Sequence, residues 1–139
     1  MYQLKTRSKA QISMEYILLI GLILAAIVPI FYYAFTTVNS NTQMNKANMC
    51  VCKVAETADM LYSLGPGSQE LVIIEIPSGV ENITINNNEI NLKLRIFSGI
   101  SDIHATSKAN MTGDIIAESG TWHILMKNEN NTIKISNQY

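Results

Sequence analysis

The sequence predicts an α+β protein in which one long N-terminal helix precedes a small antiparallel β-sheet or β-sandwich head. Two observations predict this plan. Residues 17–35 contain no charged side chain, which indicates a helix that crosses a membrane. From residue 68 onward the apolar residues recur at every second position, the period of half-buried strands. The chain has 139 residues, enough for one ordinary domain, and its net charge of −1 offers no basic surface for nucleic acid.

A basic N-terminus precedes the apolar run. Residues 1–10 carry Lys5, Arg7 and Lys9 and no acid. As a helix, the nineteen residues of the run extend about 28 Å, close to the ~30 Å hydrocarbon core of a bilayer. The positive-inside bias then holds the N-terminus in the cytoplasm and places everything after residue 36 outside.

Three simpler interpretations of the run compete with one another. They are an uncleaved signal anchor, a secretory signal peptide cut after the run, and a buried core helix. A soluble helix would show a polar stripe, and the run has none between Ile17 and Phe35. Cleavage after the run requires small residues, but bulky Phe31, Tyr32 and Tyr33 occupy that end.

The segment that follows the run is polar but amphipathic. Its apolar residues recur in steps of three and four, at Met44, Ala47, Val51, Val54, Ala58 and Leu61. Gly65 and Pro66 favour a helix end near Leu64. The pattern predicts one long helix over residues 12–64, about 80 Å in length, whose second half packs on the head.

The two cysteines lie on this amphipathic segment. Cys50 and Cys52 point about 200° apart on a helix, so they cannot bridge each other without unwinding it. Three alternatives stay open: a bond to another subunit, burial as small hydrophobic side chains, or a strained local loop. No motif ties either thiol to a histidine, so no catalytic nucleophile is predicted.

The head is predicted to contain five to seven short strands joined by tight turns. Residues 89–96 alternate perfectly between polar and apolar side chains. The other predicted strands are 70–76, 80–85, 121–127 and 132–136, with weaker candidates at 100–106 and 112–117. A sheet of this kind closes over the amphipathic helix.

The head contains no recognisable catalytic or metal-binding motif. Asp102 and His104 are the nearest approach to an acid–base pair, but they are more typical of a solvated strand face, and His123 is interpreted as a surface residue beside Trp122. We therefore predict that the protein is not an enzyme and has neither a metal site nor a cofactor.

Three Asn-x-Thr sequons lie in the part that the topology places outside the cell. They begin at Asn82, Asn110 and Asn130, and each is a candidate for N-glycosylation. Asn110 and Asn130 are the better candidates because both are expected in loops.

A simple membrane anchor does not explain Glu15, because a carboxylate at the edge of an apolar run costs free energy when the helix inserts into the membrane. Its context is Lys9-Ala10-Gln11-Ile12-Ser13-Met14-Glu15-Tyr16. This segment resembles the processing site of archaeal type IV pilin-like proteins with a class III signal peptide. The resemblance implies a prepilin that is cut between Ala10 and Gln11, so that Glu15 becomes the fifth residue of the mature chain. It also implies that Glu15 pairs with the new α-amine of Gln11 on a neighbouring subunit.

The resemblance implies a domain plan and a set of partners. The plan comprises a leader (1–10), a transmembrane and filament-core helix (11–36), an amphipathic helix (37–64) and an extracellular head (68–139). The expected partners are other pilin subunits, a prepilin peptidase, an assembly platform with its ATPase, and the membrane. The expected function is that of a structural and adhesive subunit of a surface filament. The alternative is a monomeric, membrane-anchored binding module of the cell envelope.

Overall fold

The computed structural model describes residues 5–138, and it describes side chains from residue 13 to residue 138. Within these residues the protein contains one helix and seven strands. The helix α1 spans Lys5–Leu64. The strands are β1 (Gln69–Ile76), β2 (Val80–Asn86), β3 (Glu89–Ile96), β4 (Gly99–Thr106), β5 (Asn110–Gly113), β6 (Gly120–Glu129) and β7 (Thr132–Gln138). The predicted α+β class is confirmed.

The chain divides into two compact units, residues 1–38 and residues 39–139. The first unit consists, in its described part, of the first portion of α1. Every side chain from Ser13 to Phe35 is exposed in the isolated chain. The helix is long and apolar enough to cross a membrane by length and composition. So much exposed apolar surface requires a cover, which lipid or other apolar helices can provide.

The helix begins earlier than the sequence pattern indicated. We expected a start near residue 12, whereas α1 begins at Lys5. Residues 5–11 contain neither Gly nor Pro, so nothing in them interrupts a helix that continues towards the N-terminus. The other end lies at Leu64 as predicted, because Gly65 adopts a left-handed φ of 90° and Pro66 cannot continue the helix.

The head contains two sheets that meet along one pair of strands. One sheet has the order β1-β6-β7-β5, and the other has the order β2-β3-β4. Strand β2, at the end of one sheet, contacts β5, at the end of the other. The seven strands therefore form one series in which β4 and β1 are the two free ends.

The head is antiparallel as predicted except at one strand pair. Strand β5 pairs with β7 in parallel, with Met111 opposite Ile133. Strand β5 also ends at Gly113 rather than extending over 112–117, and Ile115 is buried without belonging to a strand. Alternation along one segment cannot reveal a parallel pair between segments far apart in sequence, because only the shared core brings them together.

The core lies between α1 and the inner faces of both sheets. From α1 it takes the predicted stripe, of which Ala47, Val51, Val54, Ala58 and Leu61 are 0–1% exposed. From the sheets it takes the inward-facing residues Val72, Ile74, Ile76, Ile83, Ile90, Leu92, Leu94, Met111, Ile124, Met126, Ile133 and Ile135. Burial of side chains of this size contributes about 1.5–3 kcal/mol each, so this core is the main source of stability of the second unit.

Candidate processing and assembly sites

The predicted processing site lies at the edge of the described part of the chain. Ala10 and Gln11 belong to α1, but their side chains, like those of Lys5, Arg7 and Lys9, lie outside the described residues. The cleavage site and the basic leader therefore stay predictions.

Glu15 is described, and it is exposed on the apolar portion of α1. Its surroundings on the helix are the apolar side chains Met14, Ile17, Leu18, Leu19 and Leu22. It is the only charged residue between Lys9 and Lys46. None of the ion pairs between described residues includes it. A carboxylate in such surroundings is costly once water is excluded, and a cationic partner from outside this stretch of helix would offset that cost.

Further along α1, two lysines connect the helix to strand β1. Lys46 Nζ lies 2.5 Å from Glu75 Oε1. Lys53 Nζ donates to the backbone oxygen of Ile73 at 2.8 Å. Both contacts are exposed, so each contributes at most about 1 kcal/mol, but together they set the position of β1 along the helix.

Asp59 connects the helix to the loop between β4 and β5. Its Oδ1 accepts from the Ser107 hydroxyl at 2.7 Å and from the Lys108 backbone N–H at 2.6 Å. Ser107 is 5% exposed, and its hydroxyl oxygen in turn accepts from Ala109 N at 3.0 Å. This chain of hydrogen bonds fixes the loop that leads into the parallel strand β5.

Asn128 connects the end of the helix to the β6–β7 hairpin. It is 1% exposed, and its Nδ2 donates to the Leu61 carbonyl at 2.9 Å. The Ser68 hydroxyl lies 2.9 Å from the same carbonyl oxygen and 2.8 Å from that of Gly65, so the two carbonyls share its one proton. Because the last carbonyls of a helix lack intrahelical donors, these two side chains act as its C-terminal cap. No motif in the sequence marks Asn128, although alternation with Ile124 and Met126 places it on the inner face of β6.

The two cysteines are both free. Cys50 is 4% exposed, in agreement with the burial alternative, whereas Cys52 is half-buried. Burial raises the pKa of the Cys50 thiol to about 11, although the nearby Lys53 charge opposes this shift. Cys50 is therefore a poor nucleophile, while Cys52 is accessible from solvent.

The three sequon asparagines are all exposed. Asn82 lies on β2 at an irregularity of its pairing with β3. Asn110 was expected in a loop, but it is the first residue of β5, because the parallel pairing with β7 begins there. Asn130 occupies the β6–β7 turn with a φ of 54°.

Asp102 and His104 both lie on β4 with exposed side chains, and His123 is exposed on β6. Between the described residues there is no group of three or more His, Cys, Asp or Glu side chains that could hold a metal ion.

Comparisons with known proteins bear on the N-terminal segment and on most of the chain. Residues 8–33 match the family model for the class III signal peptide. The chain is also 29% identical over 117 residues to a probable pilin of Methanocaldococcus jannaschii, and this match covers 78% of the chain and 82% of that relative. No solved structure matches the chain significantly.

The signal peptide and the apolar helix fit a membrane-anchored precursor. The signal-peptide match and the similarity to a probable pilin support an archaeal type IV pilin-like protein, as the resemblance of residues 9–16 predicted. Both similarities are consistent with a type IV pilin-like structural subunit.

Proposed function

We propose that the protein is a prepilin that is cleaved between Ala10 and Gln11 and then assembles into an adhesive filament at the cell surface. The observation that carries this proposal is the class III signal-peptide match over residues 8–33, which contains both residues of the cleavage site together with Glu15. The exposed apolar side chains from Ser13 to Phe35 support it, since they need neighbouring helices once the subunit leaves the lipid.

The proposed plan of the chain assigns a role to each segment. Residues 1–10 are a leader that a prepilin peptidase removes, and residues 11–36 are a membrane anchor that becomes filament core. Residues 37–64 are the amphipathic helix, and residues 68–139 form the exported head. Assembly then requires other pilin subunits and a membrane platform with an ATPase.

Cleavage changes the electrostatics of the helix start. Before cleavage α1 begins at Lys5, so Glu15 lies in its interior. After cleavage the helix starts at Gln11, and Glu15 lies close to a new α-amine and to the positive end of the helix dipole. The amine of a neighbouring subunit then provides the cation that the apolar stretch lacks.

The processing step is tested by mass spectrometry of the mature protein. A chain that begins at Gln11 loses three basic residues and no acid, so its formal charge changes from −1 to −4. An intact Met1, or a start near Thr36, would contradict the proposal.

The assembly role is tested with Glu15→Gln, which deletes the charge but keeps the size of the side chain. Removal of one partner of a dry ion pair costs about 3–5 kcal/mol, whereas loss of a hydrated pair costs about 1 kcal/mol or less. We expect normal membrane insertion but a large loss of sheared filaments. Glu15→Asp keeps the charge at shorter reach and should be intermediate. Wild-type filament levels from Glu15→Gln would contradict this role of Glu15, whereas absence of sheared filaments from the wild-type chain would favour a monomeric, membrane-anchored binding module.

A further inference from the structure

The β3–β4 hairpin presents an apolar tip to solvent. In this tip, defined as residues 96–100, Phe97 is 76% exposed and Ile100 is 59% exposed. Ile96 is only half-buried. A large aromatic side chain at the end of a hairpin gains nothing for the fold of its own head, and exposed apolar surface of this kind often marks a contact with another molecule.

A groove lined by both apolar and charged side chains lies at the other free end of the strand series. This groove, between α1 and β1, has a volume of about 560 Å³, and its lining includes Lys46, Met49, Cys52, Lys53, Ile73 and Glu75. Met49 is 71% exposed and Ile73 is 49% exposed. The contacts of Lys46 with Glu75 and of Lys53 with Ile73 hold α1 and β1 together along the groove.

The positions of the tip and the groove determine what kind of contact they can form. The tip belongs to β3 and β4 and the groove belongs to β1, and β4 and β1 are the two ends of the strand series. A contact between the tip of one copy and the groove of the next therefore uses two different surfaces. Heterologous contacts of this type repeat from copy to copy and build rings or open helical polymers rather than closed two-fold dimers.

The part of the groove formed by Met49, Cys52 and Ile73 is chemically complementary to the tip. The sulfur atoms of Met49 and Cys52 and the apolar side chain of Ile73 offer a soft, polarisable surface, and sulfur atoms make favourable contacts with aromatic rings. We propose that the hairpin tip of one subunit inserts into the α1–β1 groove of a neighbouring copy, with Phe97 against Met49 and Cys52. This inference rests on the proposed function, because it concerns subunits that already share a filament.

The contact between tip and groove is too small to form between free subunits and is expected only within a filament. An aromatic side chain buries about 150–250 Å², whereas a stable interface between free proteins buries about 1,200 Å² or more. The tip alone therefore does not hold two separate heads together. Once the stems have assembled, neighbouring heads are present at an effective concentration in the millimolar range, and a small contact is then populated.

The native Cys52 provides a direct test through disulfide cross-linking. In Phe97→Cys subunits, the new thiol should lie next to Cys52 of the neighbouring copy. Diamide oxidises such a thiol pair to a disulfide and takes up the two hydrogens. We expect assembled Phe97→Cys filaments to give a ladder of covalent dimers, trimers and larger species on a non-reducing gel. The ladder should disappear with added reductant and in the Phe97→Cys/Cys52→Ser double variant.

The matched control is Asn88→Cys, which places a thiol in the exposed turn at the opposite end of β3. It should assemble but give no ladder that depends on Cys52. If Phe97→Cys fails to assemble while the control assembles, the tip is part of a subunit contact, and Ile100→Cys then becomes the cross-linking variant.

Two results separate this inference from the proposed function. Absence of filaments from the wild-type chain would overturn the proposed function. Normal filaments from Phe97→Cys or Ile100→Cys, without a cross-link that depends on Cys52, would overturn only the contact between tip and groove.

A second pair of variants tests the apolar character of the tip. We expect Phe97→Ser to lower the yield of sheared filaments several-fold and Phe97→Leu to retain it. Equal yields from the two variants would contradict a role for an apolar side chain at the tip.

Discussion

Replacement of Asn128 tests how the C-terminal end of α1 is held against the head. The side chain is 1% exposed, and it donates to the Leu61 carbonyl and accepts from Asn131 N at 3.0 Å. Asn128→Ala removes both hydrogen bonds and leaves a cavity. A net hydrogen bond contributes about 0.5–1.5 kcal/mol, and a buried group left unpaired costs about 1–3 kcal/mol. Because the Leu61 carbonyl keeps the Ser68 donor and water can reach Asn131, neither group is left unpaired, and we expect the free energy of unfolding to fall by about 2–4 kcal/mol from the lost hydrogen bonds and the cavity.

Ser68 provides a second test of the same cap, because its hydroxyl also donates to the Leu61 carbonyl. Ser68→Ala alone leaves the Leu61 carbonyl bonded to Asn128, so a loss of about 1 kcal/mol is expected. The double variant removes both donors from a residue that is 1% exposed. The loss of unfolding free energy in the double variant should therefore exceed the sum of the two single-variant losses by about 1–2 kcal/mol.

The assay is urea unfolding of the full chain in detergent, followed by tryptophan fluorescence. Trp122 is the only tryptophan and lies half-buried on β6, so its signal reports the head alone. Ser63→Ala is the control, because the Ser63 hydroxyl donates to the Asp59 backbone carbonyl of the same helix at an exposed position, and a change below about 0.5 kcal/mol is expected. Additive effects of Asn128→Ala and Ser68→Ala, within about 0.5 kcal/mol, would refute the shared-cap argument.

Three further predictions concern the cysteines, the head and the sequons. Native protein should be alkylated at Cys52 but at Cys50 only after unfolding, as peptide mass spectrometry can check. Because burial raises the Cys50 pKa from 9.0 to about 11, the unfolded chain loses this proton first. The head should therefore lose about 2–3 kcal/mol of stability as pH rises from about 9 to about 11, and Cys50→Ala should remove that loss in urea titrations. A fragment that begins at residue 40 should be a soluble monomer rich in β-structure with one helix, and a circular dichroism spectrum of an unfolded or mostly helical chain would contradict this. If Asn130 is glycosylated, Asn130→Gln should lower the mass of the exported protein by one glycan, and an unchanged mass would exclude that site.

The sequence by itself determined the features that depend on local pattern. The uncharged run over residues 17–35 indicates a membrane helix because no polar face interrupts it, and the stripe from Met44 to Leu61 identifies the face that packs on the head. Alternation in residues 89–96 likewise predicts a strand and the face that it buries. The motif around Gln11 and Glu15 predicts the class of protein, because a signal-peptide motif is a short contiguous segment that the sequence displays directly.

Only the tertiary structure decided the features that join distant segments. The parallel pairing of Met111 with Ile133, the shared cap on Leu61 and the position of the groove beside β1 all depend on which elements meet across the core. The exposure of Phe97 is a further example, because the apolar neighbours Ile96 and Ile100 would also be typical of the end of a buried strand. The physical reason is that local periodicity specifies which face of an element is apolar, but not which other element covers it.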